Sequence, residues 1–184
     1  TDAQDLFSAA RVDYARILGA LYAEGHFSAV ISIRFDGREV AGIAPLAAPA
    51  TVGTITVSVD PGPRFAFSRA AVAPVAPDTV VPPGFRAGEP ARTGVIEETA
   101  AAVILAWREE GHAKARVAAQ DIVADHASAR LSADLAIEPG PELRFGPVSV
   151  TGADRMEVRR IIKIAGLRQG EAFSQTELDR AANR

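Results

Sequence analysis

Cysteine is absent from this 184-residue chain, so no disulfide and no thiolate metal site can form. A cysteine-free chain suits the cytoplasm and a bacterial periplasm equally, so this absence leaves the compartment open. No lysine and arginine cluster stands out against a formal net charge of −3, which argues against nucleic acid as a partner. No apolar run approaches the roughly 20 residues that a membrane-spanning helix needs. The opening Thr1-Asp2-Ala3-Gln4-Asp5 is polar and acidic, unlike a signal peptide. Chemistry-bearing motifs are missing too: no glycine-rich phosphate loop follows a strand pattern, no Gly-x-Ser-x-Gly appears, and metal-ligand spacing is absent. Neither catalysis nor a cofactor is therefore expected. Glu97-Glu98 and Glu109-Glu110 read as solvated faces, because adjacent residues on a helix do not face each other.

What the chain does contain is a repeat. A helical pattern ending in Tyr22-Ala23-Glu24-Gly25-His26 leads to a strand pattern and then to Val59-Asp60-Pro61-Gly62-Pro63-Arg64-Phe65. The same order returns as Trp107-Arg108-Glu109-Glu110-Gly111-His112, a strand pattern, and Ile137-Glu138-Pro139-Gly140-Pro141-Glu142-Leu143. The Gly-His pairs lie 86 positions apart and the Pro-Gly-Pro triplets 78 apart. Gly88-Glu89 and Gly170-Glu171 mark a third equivalent point, 82 positions apart. Self-similarity at this period means tandem small domains rather than one enzyme fold. Each unit can bury only a modest core.

Local patterns fill in each unit. Tyr14, Ile17, Leu18 and Leu21 recur at helical spacing, as do Ala100, Val103, Ile104 and Trp107, and both stripes are expected to face a core. Gly25 and Gly111 sit where a left-handed residue closes a helix. Ile31, Ile33 and Phe35 alternate with Ser32 and Arg34, the period of a half-buried strand. Asp36-Gly37 is expected as a bulge in a longer strand running to Val40, with the true loop over 42–53. Val117 and Ile122 bracket a strand, and 125–128 reads as a hairpin turn. Ile55, Val57 and Val59 match Leu131, Leu135 and Ile137, and Pro61 and Pro139 end those strands because proline lacks an N–H. Further strands are expected at Phe65, Phe67 and Val72, and at Leu143, Phe145, Val148 and Val150. Four prolines in 74–83 exclude a regular helix interior there. At the same place after the second copy, Asp154 and Glu157 form a capping-box pattern ahead of Val158, Ile161, Ile162 and Ala165, with Gly166 as terminator. Ser174 and Glu177 open another helix in the same way. His26 and His112, at helix ends, are expected to bond the last carbonyls or meet the negative end of the helix dipole.

One full unit thus reads strand, helix or irregular turn, helix, strand, strand. With Tyr22 to Val30, Asp60 to Val72, Trp107 to Val117, Glu138 to Gly152 and Leu167 to Leu178 in this order, the chain resembles polypeptide-transport-associated (POTRA) repeats. These are periplasmic domains that precede the barrel of outer-membrane assembly and secretion proteins. Among subfamilies it looks most like TamA, with BamA and two-partner secretion transporters behind. The usual Gly-Tyr or Gly-Phe of the family is Gly-His here. The resemblance implies an α+β fold of tandem βααββ domains, each a three-stranded mixed sheet covered on one face by two helices. It places a partial unit at 1–61, a complete one at 62–140 and the first part of a third at 141–184. A segment of a longer protein is expected, with a barrel following it as its only link to the membrane.

By the same resemblance the work is non-covalent. Unfolded outer-membrane or passenger polypeptides would be bound, together with an inner-membrane-anchored or periplasmic partner, TamB-like if the protein is TamA-like. In the POTRA pattern the strand after the Gly-aromatic position lies at the sheet edge. Ile31, Ser32, Ile33, Arg34 and Phe35 in one copy, and Arg116, Val117, Ala118, Ala119 and Gln120 in the other, are the candidate edges for client addition. Pro61, Gly62, Pro63 and Pro139, Gly140, Pro141 are candidate inter-repeat joints. The strand around 143–150 has lost its own sheet, so it is expected to be disordered or to dock on the incomplete first unit of another molecule.

Overall fold

The computed structural model describes residues 3–44, 47, 49–152 and 157–183, with the side chains of residues 3 and 4 outside the description. The order is α1 (Ala3–Ala23), β1 (Val30–Phe35), β2 (Arg38–Glu39), a 3-10 turn (Val40–Gly42), β3 (Ile55–Asp60), β4 (Ala66–Ala73), α2 (Thr93–Glu109), β5 (Arg116–Asp125), β6 (Arg130–Glu138), α3 (Val158–Ala165) and α4 (Gln175–Ala182). Two three-stranded sheets form, ordered β2-β1-β3 and β4-β6-β5, which with the helices make the expected α+β architecture. By contacts the chain divides into two compact units, Thr1–Ser68 with Arg86–Val95 and Val123–Ser132, and Arg69–Phe85 with Ile96–Ile122 and Ala133–Arg184.

In the first sheet both pairings are antiparallel. Ile31, Ile33 and Phe35 lie opposite Val59, Val57 and Ile55, so these six apolar side chains share one face. α1 covers the β1 part of that face through Phe7 and Ala10, which form one buried cluster with Ile33, Phe35, Val40 and Ile43. The expected stripe of Tyr14, Ile17, Leu18 and Leu21 is only half-buried; the fully buried positions lie two turns earlier, because α1 begins at Ala3. Asp36-Gly37 is a tight turn, not a bulge: both residues have positive φ (47° and 84°), and Phe35 pairs with Arg38 across them. A two-residue hairpin loop with left-handed backbone at both positions matches strand twist. Asp36 also accepts from the Gly53 and Thr54 amides at 3.2 and 2.8 Å, which holds the far loop against the turn. Part of the loop expected over 42–53 lies outside the described residues.

β6, in the middle of the second sheet, buries Leu131, Ala133, Leu135 and Ile137 and exposes alternate residues, as a strand with one packed face should. α2 buries Ile96, Thr99, Ala100 and Val103, the i, i+3, i+4, i+7 spacing of one helix face. Trp107 is half-buried, and its indole N–H donates to the Pro74 carbonyl at 3.1 Å. The 74–83 segment is irregular, as its prolines require. The 125–128 turn closes as expected, with Asp125 accepting from the Ala127 amide and the Ser128 hydroxyl.

α3 starts at Val158 with Glu157 as its N-cap, so Glu157 lies one turn earlier in the helix frame than a capping box requires; Asp154 lies outside the described residues. Gly166, at φ 75°, ends α3 as expected, and Ser174 caps α4 by accepting from the Glu177 amide at 3.2 Å. Residues 146–152 form no strand, but 143–145 are hydrogen-bonded rather than disordered. Phe35→Ala, which empties a site 2% exposed, is expected to cost about 3–5 kcal/mol in urea unfolding, whereas exposed Ser58→Ala stays within about 0.5 kcal/mol.

Candidate functional site

Pro-Gly-Pro meets Gly-His twice, through the same bonds. At the first joint the Gly25 carbonyl accepts from the Phe65 amide at 2.9 Å, and the Phe65 carbonyl accepts from the Ala91 amide at 2.9 Å. Two residues on, the Phe67 amide donates to the Glu89 carbonyl at 2.9 Å and the Gly88 amide to the Phe67 carbonyl at 2.8 Å. At the second joint Leu143 bonds Gly111 and Phe173 at 2.8 and 3.0 Å, and Phe145 bonds Glu171 and Gly170 at 2.9 and 2.8 Å. A short strand pairing between the residues after Pro-Gly-Pro and the Gly-Glu turn is therefore built at each copy. The equal spacing of those turns in sequence was the signal for it, though the spacing alone names no bond.

The histidines complete the joint, and not as expected. Neither side chain serves its own helix's carbonyls. His26 Nδ1 lies 3.1 Å from the Gly62 carbonyl and His112 Nδ1 lies 2.7 Å from the Gly140 carbonyl. A carbonyl only accepts, so Nδ1 carries the hydrogen in both. His26 Nε2 is then free to accept from Arg64 Nε at 3.4 Å, while the His112 ring meets Trp107 edge-on at 4.9 Å between centroids. The middle glycine of each triplet has positive φ, 63° at Gly62 and 73° at Gly140, which aims its carbonyl back at the histidine. Phe65 is further enclosed by Phe27 at 5.5 Å and His126 at 5.7 Å, and His126, itself exposed, bonds Ser28 Oγ at 2.9 Å.

Of the two strands expected at sheet edges, one lies there and one does not. β1 is the middle strand of its sheet, with β3 on one side and β2 on the other. β2 covers Arg34 and Phe35, and the outward amide of Ile33 is taken by the Tyr14 hydroxyl at 3.1 Å and Glu39 Oε1 at 3.2 Å. Ser32 Oγ donates to Glu39 Oε2 at 2.6 Å, and Tyr14 donates to Oε1. The Ser32 bond, followed by that from Tyr14, holds the Glu39 carboxyl below its ordinary range; burial and the Glu39 bond push the Tyr14 phenol up. On this side the hairpin covers Arg34 and Phe35, and two side chains take the Ile33 amide. No local pattern could show this, because Tyr14 lies 19 residues from Ile33.

β5 does lie at a sheet edge, with Arg116, Ala118, Ala119 and Gln120 exposed and Val117 half-buried. Arg116 pairs with Glu138 of β6. The sequence missed a further edge, β3, whose residues are all exposed, Ile55, Val57 and Val59 included. A cleft of about 130 Å³ runs beside it, lined by Leu6, Ala10, Ile17, Ile33, Phe35 and Val57 among others. Among the described residues no group of three or more histidines, aspartates or glutamates is placed to hold a metal ion, and no helix is long and apolar enough to cross a membrane.

No family model matches this sequence, and no curated protein does. Among solved structures, the crystal structure of Haemophilus influenzae BamA POTRA3-5 superposes with a TM-score of 0.61 at 14% sequence identity, covering 93% of this chain. The fold is of the POTRA type. This chain spans 66% of the length of that structure.

The joint is open to a direct test. A Cβ on Gly25 would stand 2.8 Å from the Ala91 carbonyl oxygen, at φ +88°, whereas Gly37 at φ +84° has nothing within 4 Å. Gly37→Ala is expected to cost about 1–2 kcal/mol from backbone strain alone, and Gly25→Ala to lower the urea midpoint clearly further. Equal costs would mean that the Gly25–Ala91 approach is not tight.

Proposed function

We propose that the chain is the periplasmic POTRA scaffold of an outer-membrane protein assembly factor. Its units divide at 1–61, 62–140 and 141–184, and it receives unfolded outer-membrane or passenger polypeptide for a barrel. The TamA-like assignment, with a TamB-like inner-membrane-anchored partner, rests on the repeated segments. The likeness to a BamA array favours a second reading, a BamA-type insertase. A two-partner secretion transporter is the remaining alternative in the same class.

The observation that carries the proposal is β5: ten residues at the edge of a sheet, most of them exposed. An edge strand offers unpaired N–H and C=O groups to any extended chain, whatever its side chains. This suits a scaffold handling many clients. Such an edge must also resist pairing with its own kind, and charged residues along it serve that purpose. Arg116, Asp121 and Asp125 supply both signs along β5. Client addition here uses Arg116, Val117, Ala118, Ala119 and Gln120; the closed 31–35 strand takes no part. The Pro-Gly-Pro segments at 61–63 and 139–141 serve as the joints between repeats.

A photo-reactive residue placed at Gln120 is expected to cross-link an unfolded outer-membrane β-strand peptide, and one placed at Ser32 is not. Of Ala118→Pro and Ala119→Pro, the one that removes an outward amide should weaken peptide binding about fivefold while the fold is retained. Cross-linking at Ser32 equal to that at Gln120 would overturn the edge assignment.

A further inference from the structure

Glu109 stands at the last turn of α2, where the sequence marks it as half of a solvated acidic pair, yet its carboxylate is fully engaged. Oε2 accepts from Ser174 Oγ at 2.5 Å, and Oε1 accepts from both the Thr176 amide and the Thr176 hydroxyl at 2.9 Å. Ser174 is the N-cap of α4, and its hydroxyl in turn accepts from the Glu177 amide at 3.2 Å. Two of the amides left unpaired at the start of α4 are therefore satisfied, one by the helix's own cap and one by a carboxylate 67 positions earlier in the chain. The negative charge also sits at the positive end of the helix dipole. α4 is eight residues long, buries none of them fully and packs against α3, so a bond to its first turn matters to it.

The first joint has nothing equivalent. At the places that correspond to Glu109 and Ser174 by the repeat spacing stand Ala23 and Arg92. The two joints share their backbone bonds but only the second carries this clasp.

We infer that Glu109 is an acid-sensitive latch that holds the beginning of α4 on the end of α2. The second joint thereby has a carboxylate brace in addition to the histidine that both joints share. The charged and titratable groups on the elements that meet here are Arg180, Glu177 and Asp179 on α4, Arg168 and Glu171 in the turn before it, Arg108 on α2, and Glu110 and His112 just beyond its end. Arg168 pairs with Glu171 at 3.2 Å and Asp179 accepts from Gln175 at 3.0 Å, leaving Arg180 as the cation that acts on Glu109. Burial, the largest single influence, pushes the Glu109 carboxyl up, but Ser174, the Thr176 amide and hydroxyl, and Arg180 together hold it below its ordinary value. With the folded value below the unfolded one, the stabilisation is complete above the ordinary glutamate range. It is lost as pH falls through the folded value.

Amide hydrogen exchange of the 184-residue chain, corrected for intrinsic rates and followed across the acid range, tests this. Glu109→Ala is expected to speed exchange at Thr176 by about tenfold at neutral pH, while amides of α2 and β6 keep their protection and report an intact fold. Glu109→Gln, which can still accept through its amide oxygen, should retain part of the protection but lose the acid dependence seen in the unaltered chain. Unchanged exchange at Thr176 in Glu109→Ala would overturn the latch. Acid dependence persisting in Glu109→Gln would overturn its titration and assign it to Glu171, Glu177 or Asp179. Neither result bears on client binding at β5, so the latch and the proposed function fail separately.

Discussion

Two short backbone ladders, each clasped by a histidine, hold the rest of this structure in place. A helix ends in a left-handed glycine, the chain returns through Pro-Gly-Pro, and the residue after it bonds back to that glycine's carbonyl. The geometry works because each component removes a freedom. The prolines fix their φ and donate nothing, and the glycine between them turns its carbonyl outward. The histidine, one residue beyond the helix end, can reach that carbonyl. Small units bury little core each, so backbone bonds of this kind count for more in them.

Edges are the second constraint. A three-stranded sheet has two, and unprotected they invite pairing with any extended chain. This chain treats its strands unequally. β1 is covered by a two-residue partner strand and by the Tyr14–Glu39 pair, which occupy the amide a visitor would need. β5 stays open along its length and carries only charged residues as protection. Two strands at equivalent repeat positions therefore have opposite accessibility. The difference comes from the β2 hairpin, and from Tyr14, whose place by the repeat spacing is taken by Ala100 in the other copy.

Much of the fold was legible because it is local. α2, β6, the 125–128 turn, the Ser174 cap of α4 and the breaks at Pro61 and Pro139 all follow from periodicity, capping chemistry or the missing proline N–H. The errors have local causes as well as distant ones. Asp36-Gly37 belongs to a hairpin because the loop after it folds back on the Asp36 carboxylate, which no pattern of two residues announces. The 143–150 segment has the alternation of a strand, but it pairs only at its start, where the joint provides partners. Glu109 reads as surface because its partners lie 65 and 67 positions away.

The amino-acid order by itself determined the duplication, the kinds of element in each copy and the points where strands must stop, since these depend on neighbours within a few residues. Which strand would be central, which edge would stay open and which polar side chains would find partners was decided only in three dimensions. Hydrogen-bond satisfaction is a property of what folding brings within about 3 Å, and residues dozens of positions apart carry no mark of that meeting.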